Sequence, residues 1–387
     1  MITREQIREL ANFESQEGCA LSFYFQPATP QNKSHREEAI LVKDLVRDAL
    51  REAERNGRNG CARADLEKVM DLAERLHGNG GRAKAVFACG KQNFWREYDL
   101  PPRLASTYLK VYRRFQLRPL TAIADVLPRV SIALLDRTKA RFFELWGGEI
   151  RELEGFTSEL PRRGRSDGFA GYDAGHAERH VENEAMQHFK RAADKLREQQ
   201  EAGFERFIIG CRDEAWSEVE PHLHSYVKQR LVKRLAIDPR VATAEQVRSQ
   251  TEEILEEFRS NRRKDLLREV MGQAQRNGRG AIGLRHVLQS LEKGEVQTLL
   301  LGRTFAAPAV LCPNCRHLDS RVVKHCAVCG KETVELDDAS DALLRIAVRN
   351  ALEIVHVPPG DAEFDRAGVA ALLRFRADQN TEEKKAG

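Results

Sequence analysis

Four cysteines carry the most specific chemistry in this chain. They form two Cys-x-x-Cys pairs, Cys312-Pro-Asn-Cys315 and Cys326-Ala-Val-Cys329, with ten residues between them. Each two-residue gap lets a tight turn aim both sulfurs at one point, so Cys312, Cys315, Cys326 and Cys329 can converge on one tetrahedral Zn²⁺. Pro313, Asn314 and Gly330 are the turn residues such knuckles use. Two redox dithiols or a chance cluster are the competing readings. His317 and His325 flank the pairs, but four cysteines already complete a tetrahedron, so Zn²⁺ is the expected cofactor and neither histidine is needed. A ribbon of this size is too small to be an active site alone and more often props up a recognition domain.

A second feature is the segment 161–175, where Arg162, Arg163 and Arg165 alternate with Gly164, Gly168, Gly171 and Gly175. With almost no apolar residue to pin it down, it is expected as an exposed loop, and its arginines as an RNA-phosphate contact. Two further basic clusters stand at Arg113-Arg114 and Arg262-Arg263-Lys264. Acidic residues flank the latter, which suits a solvated helix face equally well. His176 and His180 lie four apart on the helix expected next, where solvation explains them better than proton transfer does. Asp167, Asp173, Glu178 and Glu182 surround them, as carboxylates at a helix start often do.

These residues must be positioned by a chain of 387 residues, long enough for three domains with separate cores. Lys and Arg number 63 against 59 Asp and Glu, a formal net charge of +4, so any nucleic-acid affinity must come from the local clusters. The charged, helix-like start Met1-Ile-Thr-Arg-Glu-Gln-Ile-Arg-Glu-Leu10 lacks the apolar core of a secretory signal, and no stretch is long enough to cross a bilayer. Cys19, Cys61, Cys89 and Cys211 are scattered singly, which suits small apolar residues in a reducing compartment. The expected location is the cytoplasm.

The periodicities predict an α/β protein of three α/β domains. In residues 1–125 a helix precedes a strand at 21–25, two helices follow over about 34–55 and 64–76, and a second strand begins at Ala83. In residues 126–240 strands at 130–135 and 140–145 are followed, across a Gly147-Gly148 turn, by a third at 150–155. The 161–175 loop, a helix over 176–202 and a buried strand at 206–210 come next. In residues 241–387 Thr243-Ala-Glu-Gln246 has capping-box form and starts a long helix. A helix at 284–291, a strand at 296–301, the cysteine ribbon at 310–334, a helix at 340–352, a strand at 354–357 and an apolar closing segment at 369–375 follow.

In this order the chain resembles the archaeal and eukaryotic class I release factor and Pelota superfamily, in its bacterial branch. Gly294-Glu-Val-Gln-Thr-Leu-Leu-Leu301, the four-cysteine insertion and Gly368-Val-Ala-Ala-Leu-Leu-Arg374 carry the likeness in the last domain. Val130-Ser-Ile-Ala-Leu-Leu-Asp136, the β-turn-β after it and Leu160-Pro-Arg-Arg163 carry it in the middle one. Residues 125 to 376 are covered well and the first domain in outline.

The resemblance implies a release-factor-like arrangement with a zinc ribbon inserted in the last domain. In hydrolytic members the middle loop holds Gly-Gly-Gln, a thin unhindered turn that brings a backbone N–H to the developing oxyanion in the peptidyl transferase centre. Counting back from Gln187-His-Phe-Lys-Arg-Ala-Ala193 sets Ala170-Gly171-Tyr172 on that tripeptide, with one glycine kept and the glutamine replaced. The first domain offers Asn32-Lys33-Ser34 against the family's Asn-Ile-Lys-Ser, which leaves stop-codon reading unsupported and Lys33 as an RNA-contact candidate.

The implied function is therefore a translation factor of the ribosomal A site without peptide hydrolysis, as in the bacterial hibernation factor Balon and the rescue factor Pelota. Its arginine loop would approach rRNA, a translational GTPase such as EF-Tu would dock on the outer domains, and the factor would be a monomer off the ribosome with no membrane contact. Two readings compete. One is a release factor that cleaves peptidyl-tRNA through Gly171, Tyr172 and His176 or His180. The other is a ribosome-independent RNA-binding or nuclease-like protein.

Overall fold

The structure is a computed structural model. It describes residues 2–27, 35–55, 59–75, 83–101, 104, 106–126, 128–159, 172–235 and 237–376. Among these residues the architecture is mixed α/β, with four sheets.

Thr3 opens α1 (Arg4–Asn12) with a capping box in which its hydroxyl accepts from the Gln6 N–H and the Gln6 side chain accepts from the Thr3 N–H. The chain continues through β1 (Ala20–Phe25), α2 (His35–Arg55), α3 (Asn59–Arg75), β2 (Ala83–Cys89), β3 (Phe94–Leu100), β4 (Tyr108–Tyr112) and α4 (Arg118–Val126). The sheet order is β3-β2-β1-β4, all antiparallel, with Leu21 opposite both Ala88 and Val111. β1 is buried at every position because both of its faces are covered. Phe23 and Phe25 meet Val42, Val46, Leu66 and Val69 of α2 and α3 on one side. On the other, Tyr24, Phe87 and Phe115 form an aromatic cluster with ring centroids 5.6 and 5.2 Å apart. β3 and β4 escaped the sequence reading, since three of seven and two of five of their positions are exposed, and α4 escaped it too.

The second sheet runs β7-β6-β5-β8-β9 and is built from β5 (Val130–Leu135), β6 (Lys139–Trp146), β7 (Glu149–Thr157), α5 (Tyr172–Glu201), β8 (Arg206–Gly210), α6 (Asp213–Val219), α7 (Ser225–Gln229) and β9 (Leu231–Leu235). β5, β6 and β7 form an antiparallel meander, and β8 and β9 extend it in parallel. Gly147 and Gly148, at φ 65° and 84°, make the β6–β7 turn that only positive φ at both positions allows. Phe189, Ala192 and Leu196 of α5 pack on one face with Phe142 and Ile209. The expected capping box starts α8 (Ala244–Gln275): the Gln246 N–H donates to Thr243 Oγ1 and the Thr243 N–H to Gln246 Oε1. Val247 and Leu255 close the other face over Val130, Ile132 and Phe143.

The remaining elements are β10 (Gly280–Ile282), α9 (Leu284–Glu292), β11 (Val296–Gly302), β12 (Ala309–Leu311), β13 (Leu318–Asp319), β14 (Val334–Leu336), α10 (Ser340–Arg349), β15 (Glu353–Val357), α11 (Ala362–Ala367) and β16 (Val369–Leu373). Their sheet has the order β10-β16-β11-β15, with β11 and β15 parallel. Leu299 and Leu301 face α9 and α10, while Leu300 faces Leu266 and Val270 of the later turns of α8. Gly368 ends α11 at φ 65°, and a Cβ there would lie 2.3 Å from the Phe305 ring, so this step of the closing segment admits only glycine.

Packing divides the chain into two compact units, residues 1–126 with 262–387, and residues 127–261. In the first unit the amino- and carboxy-terminal sheets are joined by a polar lock. Arg345, 3% exposed, donates from Nη1 to Ala11 O and from Nη2 to Phe115 O, both at 2.6 Å. Asp341 accepts the Leu117 N–H at 2.9 Å where α4 starts. Arg118 reaches back to the carbonyls of Gly302, Arg303 and Phe305. His356 donates its backbone N–H to Asp125, and its Nε2 lies 3.1 Å from Thr121 Oγ1.

Burial, with the charges of Arg118 and Arg303, pushes the His356 imidazole down to about 4. The folded state therefore refuses a proton that the unfolded chain accepts near pH 6.5, so this contribution is present above about pH 6.5 and lost as pH falls toward 4. The full effect is about 3 kcal/mol. Denaturant unfolding between pH 7 and 4.5 should show a shallower acid loss in His356→Gln than in the wild type. Identical slopes would contradict it.

Candidate metal centre and the frame of the arginine loop

β12, β13 and β14 form a small sheet in the order β13-β12-β14 that carries the cysteines. The two knuckles repeat one geometry. Cys312 N donates to His317 O and Arg316 N to Cys312 O, and likewise Cys326 N to Lys331 O and Gly330 N to Cys326 O, all at 2.8–2.9 Å. The residue after each second cysteine has positive φ, Arg316 at 64° and Gly330 at 71°. All four sulfurs lie within 4.8 Å of one another, with Cys312 and Cys329 3.4 Å apart and Cys315 and Cys326 3.5 Å apart. A tetrahedron with Zn–S bonds near 2.3 Å has edges of about 3.8 Å, so the cluster fits a zinc-sized cation.

The Lys331 N–H and the Asn314 side chain bring the Cys329 thiol down to about 6. The N–H near His317 favours the Cys315 thiolate, yet desolvation and the adjoining thiols push Cys315 up to about 12. Four thiolates cannot share this space without a cation among them. His317 is directed elsewhere, with Nδ1 2.9 Å from Glu292 Oε1, and His325 belongs to a backbone bridge with Glu332. Among the described residues, the four cysteines are the group placed to hold a metal ion there.

Arg162, Arg163, Arg165, Ala170, Gly171 and Lys33 lie outside the described residues, as does Asp167. Tyr172 is the first residue of α5, described in its backbone only. What the structure does give is the frame. Ser158 follows β7, its N–H donates to Thr138 O, and its hydroxyl lies 2.7 Å from Nδ1 of His188 on α5. His188 is buried edge-on to Phe156 and Phe189, and Arg191 lies over the Phe156 ring. Burial lowers the His188 pKa, so the ring is neutral and serves as a pin between β7 and α5. Sequence reasoning missed His188, whose only signal was a place on the apolar face of α5.

Asp136, at the end of β5, is held at about 2 despite partial burial, because Arg240 and the Thr138 and Lys139 N–H groups bind its carboxylate. It fixes a turn. Glu182 is exposed, and among the described residues no carboxylate cluster of metal-nuclease type occurs. One reading is corrected: Cys19 and Cys61 are not solitary. The first turn of α3 sits against the start of β1 and brings their Cα atoms to 6.0 Å, and the two are joined as a disulfide. Their separation of 42 residues hid this from the sequence. Among the described residues, no helix is long and apolar enough to cross a membrane.

Fold and site together define a mixed α/β protein with a four-thiol ribbon inserted between β11 and α10 of its last sheet. Residues 116–256 match the model of bacterial archaeo-eukaryotic release factor family 10, a stretch that spans less than half of the chain. Among solved structures, an archaeal translation termination factor, aRF1, is similar at 17% identity over 97% of this chain and 99% of its own, with a TM-score of 0.25. Archaeoglobus fulgidus Pelota is similar at 13% identity over 78% and 81%, with a TM-score of 0.30. The archaeal Pelota of a ribosome-bound model is similar at 16% identity over 78% and 79%, with a TM-score of 0.42. No curated protein matches the chain.

Proposed function

We propose that this protein is a translation factor of the ribosomal A site that resembles archaeal-type release factors and does not hydrolyse peptidyl-tRNA, acting in ribosome hibernation or in rescue of stalled ribosomes. The observation that carries the reading is the tripeptide Ala170-Gly171-Tyr172 inside a segment that matches a release-factor family model. Tyrosine keeps a backbone N–H, but its ring is bulkier than a glutamine side chain and has no amide with which to orient water. The segment 1–125 then serves the decoding site, 126–240 the tRNA path, and the two outer segments 1–125 and 241–387 the docking side for a factor. Arg162, Arg163, Arg165 and Lys33 contact rRNA phosphate. Zn²⁺ held by Cys312, Cys315, Cys326 and Cys329 supplies structural closure of the ribbon and no reaction step. A translational GTPase such as EF-Tu is the delivering partner, the free factor is a monomer, and the compartment is the cytoplasm.

Purified protein should cosediment with bacterial ribosomes at moderate salt and release no labelled peptide from stalled complexes. Replacing Arg162, Arg163 and Arg165 by alanine should weaken binding and lower the salt slope by about 0.7–0.9 for each phosphate that is no longer neutralised. Failure to cosediment would remove the ribosome reading. Peptide release that disappears in Gly171→Ala would instead establish the hydrolytic alternative.

A further inference from the structure

Beside the first knuckle four arginines from three separate parts of the chain converge. Arg113 and Arg114 follow β4, Arg316 follows Cys315, and Arg349 ends α10. Glu14 is the carboxylate they share: Arg114 Nη2 is 3.0 Å from its Oε2 and Arg316 Nη2 is 4.0 Å from the same oxygen. Arg113 also acts on Glu14 through its charge. Among the described residues, Arg349 commits its Nε to Ala11 O at 3.2 Å, beside the buried Arg345. Arg114 Nε is buried with no partner among the described residues. Burial lowers the Arg349 pKa, and the charges of Arg316 and Arg114 lower it further. One carboxylate thus faces four guanidinium groups.

The backbone adds an independent sign. Arg316 and Gly330 occupy the same step of the two knuckles at nearly the same left-handed φ, 64° and 71°. Glycine takes that conformation without strain, whereas a side chain costs about 1 kcal/mol or more there. In the first knuckle that position holds a guanidinium, 61% exposed, turned toward the cluster. A strained arginine among like charges is poor design for stability and good design for an anion.

We propose that Arg113, Arg114, Arg316 and Arg349 form a phosphate-binding site for an RNA backbone. Guanidinium forks match phosphate oxygens, and several at one place follow successive phosphates of a strand better than they hold one small anion. This deepens the ribosome reading by naming a second RNA contact far along the sequence from the 161–175 loop, and it rests on that reading for its choice of RNA.

The test needs no ribosome. Binding of a fluorescein-labelled RNA hairpin is measured from 50 to 300 mM KCl for the wild type, Arg316→Gly and the pair Arg113→Ala with Arg316→Gly, with inorganic phosphate as competitor. Arg316→Gly should keep or raise the melting temperature, because it relieves the left-handed strain, while RNA affinity falls several-fold. The log–log salt slope should drop by about 0.7–0.9 for each phosphate left without its arginine. Melting data thereby separate a binding defect from misfolding. Unchanged affinity and slope in the pair would overturn the proposal, as would complete competition by millimolar phosphate, which would mark a small-anion site. Ribosome cosedimentation of the same variants tells the two readings apart: a wild type that cosediments but shows no Arg316-dependent RNA binding leaves the proposed function standing and this site refuted.

Discussion

Arg345→Ala is expected to destabilise the unit formed by residues 1–126 and 262–387 by about 3–5 kcal/mol, the range seen when one partner of a buried charge pair is removed. Three losses combine. The Phe115 carbonyl loses its Arg345 donor, and the Ala11 carbonyl loses the shorter of its two guanidinium donors and keeps Arg349 Nε. Asp341, whose carboxyl enclosure pushes above the usual range, loses the charge that pulls it back. The volume of a buried side chain is also emptied.

Burial brings the Arg345 pKa down to about 10, so the guanidinium stays charged at neutral pH and the variant deletes a real cation. Arg345→Lys should recover little, because a single ammonium cannot copy the fork that reaches two carbonyls on different elements. Hydrogen exchange supplies a readout confined to this unit. Amides of β1 and of β11 should lose protection by a hundredfold or more in Arg345→Ala, about 1.4 kcal/mol for each factor of ten. Unaltered protection in both strands would show that the lock carries no stability.

The second large effect is metal removal. The protein should bind one Zn²⁺ per chain, and Cys312→Ser with Cys326→Ser should bind none. The ribbon has little else to hold it. Val310, Leu318 and the cysteines Cys312 and Cys326 are its main buried apolar residues, while Val322, Val328 and Val334 face solvent. Metal binding in small ribbons of this kind is worth about 10–16 kcal/mol, far more than such a core could supply. A chelator should therefore unfold the knuckles locally. The sheet behind them should stand, because Leu299, Leu301, Leu343, Leu344, Val369 and Ala371 close its core without any cysteine. Circular dichroism should show a small loss and exchange should quicken only around residues 310–334. Global collapse on chelation, or a protein purified without zinc that cannot take it up, would refute this.

Much of the local structure could be read before any packing was known. The alternation in Leu21–Phe25, the glycine pair at 147–148 and the Thr243–Gln246 box each place their element within one or two residues of where it lies. The reason is that these signals act over two to four residues, in dihedral preferences and side-chain-to-backbone bonds. β3, β4 and β9 were lost to the same reading, since their polar positions face water on one side and their burial is set by partners elsewhere.

The candidate site divides along the same line. The Cys-x-x-Cys spacing by itself determined that four sulfurs would converge, because each knuckle is a local turn, and the structure brings them within 4.8 Å of one another. The motif order by itself pointed to the release-factor superfamily, and residues 116–256 match the model of a release factor family. Only the tertiary structure decided that Cys19 meets Cys61, that His188 pins the loop's frame, and that Arg345 is buried structure while Arg316 is left strained beside Arg114 and Arg349. Each of these depends on residues brought together from distant parts of the chain, and no local preference records which partner will arrive. Burial then sets the charge and the chemistry of each group, and burial is a property of the packed whole.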